Sequence, residues 1–198
     1  QNLYKESLKY IFQAENLAKN SNSENLKAFT YISLAAFYRG LELQKKAAEN
    51  LEKVIDPLSL VKDTEEKKYI EARFQLEKGL LNFAVSKEKE GVSNLWKSKT
   101  KFRKSKNAEL ASKSLQLVYS ILGNYYLTQN KFDSSKYYFE QNLNLANQFK
   151  SFPELELRAK NGISRFYLQK KNADSALFFA SGSSELIPKV NDARLTKD

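Results

Sequence analysis

Cysteine is absent from the 198 residues, which removes disulfides, thiol nucleophiles and thiolate metal sites while leaving the compartment open. Histidine is absent too, so the commonest acid–base group and the commonest transition-metal ligand are both missing. There is no Gly-rich phosphate loop, no nucleophile with its base, and no carboxylate pair that the pattern places in a cleft. Neither enzyme activity nor a metal or cofactor is therefore expected. Methionine is also missing and the chain begins at Gln1, so it reads as a processed product or a piece excised from something longer. No apolar run approaches the roughly 18 residues of a membrane span. The segment is expected to be soluble and not to insert into a membrane, with cytoplasm and periplasm both open.

With only six Gly and three Pro, the chain has few tight turns, and 28% charged against 41% apolar residues suits long amphipathic helices. The stretch that organises the rest is 119–143, YSILGNYYLTQNKFDSSKYYFEQNL, in which two apolar-periodic runs flank a polar turn at 129–131. That is a helical hairpin. Gly123 and Ser135 are expected where its two helices approach most closely, because a larger side chain there would push the backbones apart. Tyr119, Leu122, Gly123 and Tyr126, followed by Ser135 and Phe139, have a spacing that resembles the tetratricopeptide (TPR) repeat.

The same pattern recurs. Ala35, Gly79, Gly123 and Ser164 follow at intervals of 44, 44 and 41, and Ser7, Ala47, Gly91, Ser135 and Ala176 at 40, 44, 44 and 41. Four residues further on stand Ile11, Leu51, Leu95, Phe139 and Ala180. Each unit reads as helix A, turn, helix B, giving a partial unit 1–20 and full units 21–60, 61–106, 107–150 and 151–190. Residues 2–20 form a lone helix B with Tyr10, Ile11, Ala14 and Leu17 on its apolar side. Capping boxes at Ser21 with Glu24, Asp63 with Glu66 and Ser151 with Glu154 open three helices, and Asn107 caps another. Helix B of the first full unit spans 43–55, Pro57 closes that unit, Pro153 lies in a first turn, and Pro188 ends the last helix. Residues 190–198 read as the start of a further element. The expectation is an all-α chain of about nine helices in a single domain, an α-solenoid of antiparallel helix pairs.

The TPR resemblance spans nearly the whole chain and is best at Tyr31, Leu34, Ala35 and Tyr38 with Ala47 and Leu51. It departs at Gln75 and Asn82, where aromatics are usual, and in its period of 40 to 44 against the usual 34. Long-period arrays of this kind resemble the sensory or docking parts of bacterial signalling and transcription-regulatory proteins. The resemblance implies a superhelix whose concave face, lined by the A helices, binds a protein or peptide. The register places Phe29, Ile32, Ala36 and Arg39 on that face, then Arg73, Leu76, Leu80 and Phe83. Leu117, Ser120, Asn124 and Leu127 follow from the third unit, with Arg158, Asn161, Arg165 and Leu168 from the fourth.

Only six of the 33 basic residues are Arg, yet Arg39, Arg73, Arg158 and Arg165 fall on this one projected face. Guanidinium forks suit carboxylates, so an acidic segment or a C-terminal carboxylate is the expected ligand, with Phe29, Leu80 and Phe83 as its apolar end. Asn124, Arg158, Asn161 and Arg165 partly resemble the carboxylate clamp of chaperone-binding TPRs. The plainer alternative is that these Arg pair with acids on adjacent helices. Exposed terminal helices also leave room for a homo-oligomer.

The run 97–106, KSKTKFRKSK, holds Lys97, Lys99, Lys101, Arg103, Lys104 and Lys106 with no acid, within a net charge of +10. It is the basis of an alternative function, nucleic-acid binding through a basic patch. Its plainer reading is a solvated helix end whose cations suit the negative pole of the helix dipole. The aromatic pairs Tyr125–Tyr126, Tyr137–Tyr138 and Phe178–Phe179 are expected to fill the core.

Overall fold

The computed structural model describes residues 2–106, 108–149 and 152–190, the side chains of 2–7 and 108 excepted. Among these, every regular element is a helix: α1 (Asn2–Asn20), α2 (Glu24–Gly40), α3 (Gln44–Glu52), α4 (Ile55–Leu60), α5 (Thr64–Ala84), α6 (Glu88–Arg103), α7 (Ala108–Thr128), α8 (Phe132–Gln148), α9 (Pro153–Gln169) and α10 (Ala173–Ser184). The fold is all-α. The chain divides into two compact units, Gln1–Lys106 and Asn107–Asp198, at the boundary between the second and third full repeats.

Within the units, α2 packs on α3, α5 on α6, α7 on α8 and α9 on α10, each pair joined by a three-residue connection that makes the partners antiparallel. All four connections share one geometry. Glu42, Ser86, Asn130 and Lys171 sit at φ 60, 60, 55 and 57°, spaced 44, 44 and 41 residues apart like the small residues of the repeat. The residue after each donates its N–H to a carbonyl five back: Leu43 to Tyr38 at 2.9 Å, Lys87 to Asn82 at 2.8 Å, Lys131 to Tyr126 at 2.9 Å and Asn172 to Tyr167 at 3.0 Å. These are Schellman terminations, which satisfy helix-end carbonyls and turn the chain back.

The pairs close on small residues twelve apart. Ser135 Oγ donates to the Gly123 carbonyl at 2.9 Å, and Ser164 Oγ to that of Ala176 at 2.8 Å. A Cβ added to Gly79 would lie 3.1 Å from the Gly91 carbonyl oxygen, and one added to Gly91 would lie 3.2 Å from that of Gly79. Ala35 and Ala47 are buried in one cluster with Leu51 and Leu81. Phe139, 1% exposed, is held between two further backbones: a Cβ at Gly123 would fall 2.7 Å from its ring, and one at Gly162 2.6 Å. Real Cβ atoms essentially never come so close, so any larger residue at either position would force the ring or a backbone to shift.

Hairpins stack in each unit with their first helices parallel. Asn25 Nδ2 donates to Glu66 near the start of α2 and α5, and Arg39 Nη2 to Glu77 at 3.1 Å near their ends. In the second unit, Gln116 Nε2 donates to the Leu155 carbonyl at 2.6 Å and Gln169 Nε2 to that of Leu127 at 3.1 Å. The cores are Ala28, Ile32, Val54, Val61 and Ile70 in the first unit, and Leu127, Phe139, Ile163 and Phe166 in the second.

Several sequence expectations need correction. The cap of α2 is Ser23, whose side chain accepts from Leu26 N at 3.3 Å, while Ser21 Oγ accepts from Ser23 N. Pro57 does not close a unit: it is buried in the first turn of α4, where it needs no N–H partner, and this short helix covers the Val54, Val61 cluster. This six-residue helix stands beside the nine longer ones among the described residues, as many as the repeat pattern leads one to expect. Pro188 lies in a further helical turn at 187–190, beyond the end of α10 at Ser184. On α1, Tyr10 and Leu17 are exposed and Ala18 is fully buried, because a single stripe of this helix meets α2. Asp63 does cap α5, accepting from Glu66 N at 2.7 Å, and Pro153 opens α9. Asn107, Ser151 and residues 191–198 lie outside the described residues. Of the aromatic pairs, Tyr138 is core, whereas Tyr137 is 45% and Phe178 73% exposed.

Two outcomes follow from this packing. A left-handed backbone costs an L-residue about 1 kcal/mol that glycine avoids. Ser86→Gly and Lys171→Gly should therefore each raise the unfolding free energy by about 0.5–1 kcal/mol. Asn130→Gly should gain less, since Asn tolerates this region and its Oδ1 accepts from Gln169 Nε2 at 3.2 Å. Urea unfolding of the three variants reads the order.

Tyr138 is 2% exposed, stacked on Tyr126 at 5.6 Å and 3° between ring planes, and burial among Tyr126, Tyr137 and Tyr119 pushes its phenol well above the usual range. The folded form keeps its proton while the unfolded phenol ionises near about pH 10. Its contribution is thus complete below that pH and is lost above it, at about 1.4 kcal/mol per pH unit. Urea midpoints of the parent and Tyr138→Phe should converge between pH 9 and 11; parallel profiles would contradict the burial argument.

Candidate functional site

In the first unit, much of the projected ligand face is interior. Ile32 and Leu76 are 1% and 2% exposed, and Phe29 packs on the same cluster as Ile32 and on the Tyr69 ring at 5.9 Å. Phe83 and Leu80 are half-buried, Phe83 lying where a Cβ on Gly91 would meet its ring at 2.8 Å. Arg39 is consumed by Glu77, its Nε and Nη2 donating to one carboxylate oxygen at 3.2 and 3.1 Å. Arg73 is half-buried. Here the plainer reading of the arginines holds for Arg39.

The reason is geometric. Each first helix packs against its own partner and against the other first helix of its unit, so its outward arc is narrow. Positions Ile32, Leu76, Ser120 and Asn161 form one column, and in the last two hairpins that column makes the bond across the pair. Asn142 Nδ2 donates to Ser120 Oγ at 2.8 Å, and Ser183 Oγ to Asn161 Oδ1 at 2.6 Å. On α2 and α5 the column is buried and on α7 half-buried; only at Asn161 of α9 does it reach open surface. Leu127 likewise belongs to the Phe139 core, and Asn124 and Leu117 are half-buried on α7.

On α9 the stripe Arg158, Asn161, Arg165 and Leu168 is exposed along its length. Arg158 and Arg165 form no ion pair with any described residue; Arg165 Nε reaches only the Asn161 carbonyl, at 3.5 Å. The neighbouring cations are engaged: Lys160 with Glu156 at 2.8 Å and Lys113 with Glu154 at 3.1 Å. Two guanidiniums two helical turns apart, bordered by Leu168 at 67% exposure, can take carboxylates on either side of an apolar contact.

The basic run occupies the second half of α6 and the three residues after it, and divides in two. Lys99 is 8% exposed, its ammonium 3.6 Å from the centroid of the Trp96 ring, and burial first, then Arg103, pushes its pKa down. It belongs to the packing rather than to the surface patch, because Leu95 and Phe102 draw that side of the helix into the core. Lys97, Arg103, Lys104 and Lys106 are exposed and Lys101 half-buried. A cleft of about 480 Å³ opens between α5 and α6, lined by Lys68, Trp96, Lys97, Thr100, Lys101 and Lys104. Sequence reasoning found the lysines of α6 but not the cleft, because Lys68 joins them only through the α5–α6 pairing.

No three His, Cys, Asp or Glu side chains come together as a metal site among the described residues, and no helix there is long and apolar enough to cross a membrane. No protein-family model matches the chain, and no curated protein matches it. Any functional reading therefore rests on the side chains and on the repeat spacing.

Proposed function

We propose that this chain is a protein- or peptide-binding module of the TPR kind, docking an acidic or carboxylate-bearing segment on the exposed face of α9. The observation that carries the proposal is the pair Arg158 and Arg165, presented to solvent without an acid partner among the described residues while Arg39 is tied to Glu77. A surface that needed cations only for solubility would be served by Lys, which supplies most of the positive charge here; the planar fork of Arg adds bidentate geometry. The repeat spacing and the stacked hairpins of each unit support the resemblance on which the docking role rests. By the same resemblance, the module serves as the sensory or docking part of a bacterial signalling or transcription-regulatory protein.

A charge-assisted hydrogen bond is worth about 1.5–3 kcal/mol, so each arginine removed should weaken binding about tenfold or more. Fluorescence anisotropy with a labelled oligoglutamate peptide bearing a free C-terminal carboxylate provides the measurement. Arg158→Ala with Arg165→Ala should abolish saturable binding with helical content unchanged, since both side chains are exposed, whereas Lys97→Glu with Lys104→Glu should leave it in place. Unchanged affinity in the arginine variant would remove the α9 assignment.

A further inference from the structure

The cleft between α5 and α6 has a composition that the docking role does not use. One wall is Trp96, 43% exposed and the only tryptophan of the chain, with the Lys99 ammonium over one face of its ring, so that a base has only the opposite face to stack on. The others are the ammonium groups and aliphatic stems of Lys68, Lys97, Lys101 and Lys104, with Thr100 between them. Lys97 and Lys101 on α6 and Lys104 at its C-cap follow one strip at a rise of about 1.5 Å per residue, making a ladder of positive charge about 10 Å long beside the indole. Two carboxylates hold part of the ladder: Glu65 pairs with Lys68 at 2.9 Å, and Glu71 pairs with Lys101. With Arg103 and Lys106 flanking it, the cleft stays strongly positive after those two charges are subtracted.

The donor set limits the occupant. Thr100 Oγ1 already donates to the Trp96 carbonyl at 3.0 Å, and the other polar side-chain groups lining the cleft, the ammoniums and the Trp96 indole N–H, are donors only. An extended peptide needs acceptors for its N–H groups, and the lining supplies almost none. A phosphodiester strand needs only cations, and its bases need an aromatic surface. A duplex shows base edges rather than faces to a protein, so it cannot engage the indole in this way. Insertion into a lipid surface needs projecting apolar side chains, whereas Leu95 and Phe102 of α6 are buried.

We infer that the α5–α6 cleft is a binding site for single-stranded nucleic acid, with a base stacked on Trp96 and the flanking phosphates held by Lys97, Lys101, Lys104 and Lys68. The inference involves the first unit alone and is independent of the α9 reading. A stacked base contributes about 1–3 kcal/mol and each phosphate contact a release of counterions, so affinity combines a salt-independent and a salt-dependent part.

Because Trp96 is the sole tryptophan, its fluorescence reports the site directly. Titration of the full chain with oligo(dT) should quench that emission saturably. With three or four phosphates neutralised at a slope of about 0.7 each, affinity should fall about 20-fold or more between 50 and 200 mM salt. Lys97→Glu with Lys104→Glu should remove binding. Trp96→Leu, followed by anisotropy of labelled oligo(dT), should weaken it about tenfold while keeping the salt slope. Inorganic polyphosphate should compete without quenching, and duplex DNA should bind more weakly and without quenching. Absence of quenching by oligo(dT), equal quenching by an oligoglutamate peptide or by anionic phosphatidylserine vesicles, or full affinity in the Lys97→Glu, Lys104→Glu variant would each overturn the assignment.

Discussion

The structure depends on backbones approaching one another where side chains have been reduced to almost nothing. At Gly79 with Gly91, Gly123 with Ser135, Ser164 with Ala176 and Ala35 with Ala47, two antiparallel helices meet on small residues twelve positions apart. A three-residue Schellman turn fixes that number, because it brings a helix back after the same count of residues each time. Spacing, turn and close approach are thus one constraint expressed three ways. In the second unit Phe139 extends it across three helices, since any residue larger than glycine against it on α7 or α9 would force the ring or a backbone to shift.

This constraint explains which parts of the fold were legible. Small residues recurring at 44, 44 and 41 can be found in the sequence alone, and they mark the positions where hairpin partners meet. Caps were partly legible. Asp63 stands three residues before Glu66 and accepts from its N–H as the pattern reads, whereas α2 is preceded by two serines and the nearer, Ser23, takes the role. The short helix α4 was hidden because Pro57 reads as a breaker, although proline in a first turn lacks only an N–H that the helix does not use.

The candidate surfaces were harder to read, for a reason rooted in helix geometry. Successive residues on a helix differ by about 100°, so an error of one position moves a side chain from open surface into a packed seam. In α2 and α5, which pack on both their partner and each other, that error placed Ile32 and Leu76 on the wrong side. In α9 the same register left Arg158 and Arg165 outside. The Trp96 cleft required a fact no periodicity contains, namely that Lys68 of α5 lies beside the lysines of α6.

Helix propensity and packing make opposite statements about glycine in these helices, which isolates the central claim. Intrinsic propensity gives Gly→Ala a gain of about 1 kcal/mol, and Gly40, with no other atom within 4 Å of an added Cβ, should show a gain of that sign. At Gly123 an added Cβ collides with Phe139, so Gly123→Ala should instead lose about 1–3 kcal/mol, most of it recovered when Phe139 is replaced by Leu. Urea unfolding of Gly40→Ala, Gly123→Ala, Phe139→Leu and the Gly123→Ala, Phe139→Leu double variant makes the comparison. Opposite signs at the two glycines, with rescue in the double variant, are the expected result, and a gain in stability at Gly123 would contradict the account.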